Sequence, residues 1–125
     1  MREILFRAFI KDKAKIYTVK KIDFDYSTVW FEEENKPTDT MRMFDQIELM
    51  QFTGLTDKNG TKIFEGDIVA YNTLYIDGKE HQEIGYFECD EKYVNFKIHG
   101  TQMTPFNCEV IGNIHDNKEL LGEQQ

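Results

Sequence analysis

Five side chains have the chemistry to ligate a metal or to act in nucleophilic catalysis: Cys89, Cys108, His81, His99 and His115. Zinc sites usually take their ligands in close local pairs, Cys-x2-Cys or His-x3-His, because a short step lets two side chains converge on one ion. The set 89, 99, 108, 115 advances by ten, nine and seven residues, so no such pair forms. The cysteines read as strand residues, and no metal or other cofactor is expected. A Gly-x-Ser-x-Gly elbow is also missing, and the single serine, Ser27, falls in an expected turn. Neither cysteine has a basic neighbour in sequence, which leaves a histidine distant in the chain as the one route to a nucleophile at Cys89 or Cys108.

Carboxylates offer a second chemistry. In IDFDY (22–26), period-two alternation puts Asp23 and Asp25 on one strand face and Ile22, Phe24 and Tyr26 on the other, with Glu32 expected across a hairpin. Such a cluster suits acid/base work or a magnesium ion. An acidic strand face also discourages edge-to-edge pairing, and that solubility role is the expected one. No catalytic residues are assigned, and the chain is not expected to be an enzyme.

The stretch TGLTDKNGTKIFEGDIVAY (53–71) mixes acids and glycines between apolar runs. Counted from Asp57 as a calcium loop, glycine comes at position 4 rather than 6, and Ile68 stands where the bidentate glutamate belongs. As a phosphate cradle it fails too, since TDKNGTK leads into a β-branched, aromatic run rather than a helix. What remains is turn chemistry. Asn59-Gly60 suits a two-residue type I′ hairpin, and Gly66-Asp67 a second bend.

The last candidate is electrostatic. Residues 1–21 carry seven Lys/Arg against two Asp/Glu, while 22–125 carry eight against twenty-one, for an overall charge of −8. Arg2, Arg7, Lys11, Lys13 and Lys15 stand among Phe6, Phe9 and Tyr17, a mixture that can serve a partner surface or stack single-stranded nucleic acid. The acidic remainder repels phosphate backbones, so general nucleic-acid affinity is disfavoured.

The elements that must position these residues are mostly strands. EILFRAF (3–9), KIYTV (15–19), IDFDY, TVWFE (28–32), KIFEGDIVAYN (62–72), QEIGYFECD (82–90), YVNFKIH (93–99) and EVIGNI (109–114) alternate or carry β-branched and aromatic runs. EEENKPTDT (32–40) is a loop, because Pro37 breaks helix and central strand alike. MRMFDQIELMQF (41–52) fits a helical face through Met43, Ile47 and Met50, or a strand through IELMQF. DNKELLG ends as a short helical turn capped by Asp116 or Asn117 and stopped at Gly122. The fold class is mainly β, a β-rich α+β chain: an N-terminal β lobe (1–53), then a second lobe (54–125) whose short strands suggest a small barrel or sandwich.

Three segments, MREILFRAF, LMQFTGLTDKNGTKIFEGDIVAY and EVIGNIHDNKELL, resemble the YopX family in order and spacing from Met1 to about Leu121. Phe9 stands where the family would have tryptophan, an aromatic exchange that conserves packing. The resemblance implies a small phage or prophage protein whose C-terminal half is similar to an SH3-type barrel, and it implies no established activity.

At 125 residues the chain can bury a modest core without disulfides. It has no secretory h-region and no apolar run near the roughly 20 residues of a membrane helix, so a cytoplasmic protein is expected. The expected function is a non-enzymatic interaction module that engages a host or phage protein or forms a homo-oligomer. The alternative is a nucleic-acid-associated protein, binding through the basic segment or imitating DNA with its acidic surface.

Overall fold

The structure is a computed structural model that describes residues 3–74, 78–90, 95–98 and 108–122. The chain divides into two compact units, one from Glu3 to Gln51 and one from Phe52 onward.

The first unit is an antiparallel meander: β1 (Phe6–Ile10), β2 (Lys15–Thr18), β3 (Lys21–Asp23), β4 (Thr28–Phe31), β5 (Thr40–Met43), a 3₁₀ turn (Phe44–Gln46) and the start of β6 (Ile47–Thr56). β1 pairs on one side with β2, from Arg7↔Thr18 to Ile10↔Lys15, and on the other with β6, from Phe6↔Gln51 to Ile10↔Ile47. β4 lies between β3 and β5. The Val19 N–H donates to Phe6 O (3.0 Å) and the next N–H, Lys20, to Trp30 O (2.8 Å), so the chain leaves β1 for β4 within two residues. Alternation supplies the core: Ala8, Ile10, Val29, Phe31 and Ile47 are buried, with Tyr17, Val19 and Ile22 packed against them. The segment 41–52, which fits helix or strand by pattern, is the end of β5, one 3₁₀ turn and half of β6.

β6 continues into the second unit, where Phe52↔Phe64 and Thr56↔Lys62 pair it with β7 (Lys62–Phe64). The register shifts between these pairs, and Gly54 takes φ 84° there, a conformation open to glycine without steric cost. β8 (Asp67–Leu74), β9 (Glu80–Asp90), β10 (Asn95–Ile98) and β11 (Cys108–Asn113) follow, in sheet order β10-β9-β8-β11. Ile63, Val69, Tyr71, Phe87 and Cys108 form the buried cluster. β11 carries a bulge between Val110 and Gly112.

Among the described residues the chain is β-rich with one short helix, α1 (Glu119–Gly122), as expected from the sequence. The cap differs from expectation. Asn117 Oδ1 accepts from Asn113 N (3.3 Å) and Asp116 Oδ2 from Asn113 Nδ2 (3.1 Å), so both side chains secure the turn before the helix rather than its first N–H groups. Gly112 makes room for this, since a Cβ there would lie 2.6 Å from Asn117 Cγ.

Candidate interaction surface

The β3–β4 hairpin presents two aromatic rings to solvent. Strand pairing stops at Asp23↔Thr28, leaving 24–27 as the turn. Asp23 Oδ1 accepts from the N–H groups of Asp25 (3.0 Å) and Tyr26 (3.2 Å), an Asx arrangement that bends the chain at once. Ser27 sits at φ 56°, and its carbonyl accepts from Phe44 N at 2.8 Å, tying the tip to the 3₁₀ turn. Phe24 is 78% exposed and Tyr26 75%, and the Phe24 and Phe44 rings meet edge to face with centroids 6.3 Å apart. Met41, Met43 and Phe44 are exposed as well. Large apolar side chains held together in water mark contact surfaces more often than lone exposed residues do.

The expected hairpin with TVWFE forms, but the strand over IDFDY is shorter than expected: Ile22 and Asp23 end β3, and residues 24–26 belong to the turn. The Asp23 carboxylate organises that turn, Asp25 lies within it, and a carboxylate cluster with Glu32 does not form. Glu32 follows β4 at the end opposite Thr28, four residues or roughly 13 Å away along the strand. It pairs instead with Lys20 (2.9 Å).

The basic segment is interleaved with acids. Arg2 lies outside the described residues, and Arg7 is half-buried in β1. Lys11 Nζ donates to Asp45 O (3.2 Å), Lys13 pairs with Glu33 (2.7 Å), and Lys15 Nζ stands 5.5 Å from the Tyr17 ring centre. Glu33 also takes Lys36 (2.7 Å) and a bond from Thr40 Oγ1 (2.6 Å). These partners, Lys13 first, hold its carboxyl down at about 2.

In the second unit the 57–61 loop is longer than a two-residue turn. Gly60 N donates to Asp57 O (3.0 Å) and Asp57 N to Thr61 O (2.8 Å). Gly60 has φ 82° while Asn59 does not have positive φ, so a turn closed by a left-handed glycine replaces the type I′ expectation. The reason is Asp57, an acidic residue of the stretch expected to form turns. Its buried side chain accepts from Asn59 N and Thr61 N at 2.9 Å through Oδ1, and from Val110 N at 2.9 Å through Oδ2. Burial pushes its acidity one way, and the bonds from Val110, Thr61 and Asn59 outweigh it, leaving the carboxyl below its ordinary value. At the second bend Gly66 has φ 88°, and buried Asp67 accepts from Phe64 N at 2.8 Å. The D-x-N-G-T spacing was the available signal for Asp57; its bond to Val110 had none.

Cys108 is buried, and that burial, then the nearby Asp57 charge, pushes its thiol up to about 11. Such a thiol is almost wholly protonated at neutral pH and a poor nucleophile. The side chains of Cys89 and His81, and His99 entirely, lie outside the described residues. Among the described residues no three His, Cys, Asp or Glu side chains are grouped to hold a metal. No helix among them is long and apolar enough to cross a membrane.

The fold therefore defines a two-unit, β-rich protein whose exposed feature is an aromatic hairpin tip. Residues 5–122 match the family described as YopX protein, nearly the whole chain, and the chain belongs to the YopX family. Among solved structures it is similar to protein EF1440 from Enterococcus faecalis, with 23% identity and a TM-score of 0.69 over 97% of this chain and 99% of that one. At that identity the likeness concerns the fold. No curated protein matches the chain.

Proposed function

We propose that this chain is a non-enzymatic protein-interaction module, encoded by a phage or prophage and acting in the cytoplasm of its bacterial host. The observation that carries this is the hairpin tip: Phe24 and Tyr26 stand in solvent on a turn fixed by Asp23 and braced by Ser27 and Phe44. Rings held rigidly outward bury large area on contact at little entropic cost, which is how aromatic hot spots work. β1 lies between β2 and β6, and β8 between β9 and β11, an arrangement that supports reading the second unit as an SH3-type barrel. Small barrels of this kind commonly act as platforms, although fold alone names no task.

A nucleic-acid role has less behind it. Lys13 and Lys20 are engaged by carboxylates, and Lys11 by a backbone carbonyl. The test is capture from a bacterial lysate on the full chain, with and without nuclease, against the double variant Phe24→Ser/Tyr26→Ser. One dominant nuclease-resistant protein, lost with the double variant, is the expected result. Retention that disappears with nuclease and ignores the variant would overturn the proposal in favour of nucleic acid. Light scattering at low and high salt tests the homo-oligomer form; a monomer at both removes it.

A further inference from the structure

A groove lies at the other end of the same unit. β4 ends at Phe31, and beyond it a cleft of about 780 Å³ lies between residues 15–18 and 32–35. Its size is that of a ligand pocket. What distinguishes it is the backbone on one wall.

The phase of the β1–β2 ladder decides which groups face the cleft. Val19 N donates to Phe6 O, so Phe6 and Val19 are a hydrogen-bonded pair. In an antiparallel ladder such pairs alternate with non-bonded ones, and the register then makes Ala8–Tyr17 and Ile10–Lys15 bonded, Arg7–Thr18 and Phe9–Ile16 not. The N–H and C=O groups of Ile16 and Thr18 therefore point away from β1. β2 pairs with no second strand, and no backbone hydrogen bond engages these groups among the described residues. Two donors and two acceptors stand at strand spacing along an open wall, and their geometric complement is another extended chain.

We propose that this groove binds an extended peptide segment of a partner protein, which adds as a strand to β2 through the main chain of Ile16 and Thr18. Charge selects against a second copy of this chain in the same place, because β2 opens on Lys15 and is flanked by Lys13, Lys20 and Lys21, and self-pairing would set lysines against one another. The opposite wall adds selectivity. Glu32 and Glu33 are occupied by Lys20, Lys13 and Lys36, whereas Glu34 has no ion pair among the described residues. The guest then carries a basic side chain for Glu34 and tolerates an acidic one near Lys15. The site is independent of the Phe24–Tyr26 tip, which lies at the other end of β4.

The test uses the full chain to select from a displayed library of random eight-residue linear peptides. Winning peptides are synthesised with N-methyl groups at alternate peptide bonds, and binding is measured to the native chain, Thr18→Pro and Glu34→Gln. Thr18→Pro removes only an outward N–H, so the β1–β2 ladder is kept. Expected are binding at least tenfold weaker to Thr18→Pro, severalfold weaker to Glu34→Gln, and a similar tenfold loss when one alternate set of peptide N–H groups is methylated. Amide hydrogen exchange at Ile16 and Thr18 should slow on peptide addition, and this arm and the methylation arm stand even if the proline variant does not fold. The proposal is overturned if no peptide is enriched, if methylation of each of the two sets in turn is harmless, or if protection at Ile16 and Thr18 arises from dimerisation of the chain alone.

Discussion

The carboxylate of Asp57 holds the backbone N–H of Val110 at 2.9 Å, across 53 positions of sequence, while its other oxygen organises the turn that follows it. Lys58 N donates to Cys108 O (3.0 Å) beside it, so the β6–β7 turn is fastened to β11 at two adjacent points.

Asp57→Ala leaves the N–H groups of Val110, Asn59 and Thr61 without their acceptor. A loss of about 2–4 kcal/mol is expected from urea unfolding, since bonds to a charged acceptor are worth about 1.5–3 kcal/mol and unsatisfied buried donors add to the cost. Asp57→Asn keeps a single acceptor oxygen and should lie between the two. Equal midpoints for all three proteins would show that the fastening is inconsequential.

Glu33 gives stability a pH dependence. Its carboxyl is held at about 2 against an ordinary 4.5, chiefly by Lys13, then by Lys36 and Thr40. A folded value below the unfolded one means the contribution is whole above about 4.5 and drains away as pH falls toward 2. Asp57, also lowered, acts in the same direction. The urea midpoint should fall across this window, and more gently for Glu33→Gln. Parallel curves would count against the Lys13–Glu33–Lys36 group.

Gly60 and Asn59 should separate. At φ 82° a β-branched residue is strained, and nothing lies within 4 Å of a Cβ placed on Gly60, so the cost of Gly60→Val is conformational. It should lower stability by about 1–2 kcal/mol, with Asn59→Val much milder. Thermal midpoints decide this; a larger drop for Asn59→Val would restore the two-residue turn.

Cys108 should resist alkylation. A buried thiol raised to about 11 reacts with iodoacetamide only when the chain opens. Mass mapping at pH 7.5 with increasing urea should show Cys108 modified along the unfolding curve. Rapid modification in native buffer would contradict its burial.

Much of the fold was legible because half-buried strands alternate, and Ala8 and Ile10, or Val29 and Phe31, keep that rhythm. Phe24 and Tyr26 keep it too, and there it misleads: Asp23 bends the backbone through its own side chain, so the rhythm runs on into a turn. MRMFDQIELMQF read two ways because its helical spacing is met by one 3₁₀ turn between strands. The candidate surface was hardest to see. Ten phenylalanines are visible in a sequence, but which of them stay in water depends on partners distant in the chain.

β6 carries a last consequence. Its residues through Gln51 belong to one ladder and those from Phe52 to another, with no spacer between them. The units are thus poor modules for recombination, because a crossover at their border severs a strand that each needs as a template. Exchange of material between related genes is then expected at the hairpin loops, such as 32–39, and the border should be inherited whole.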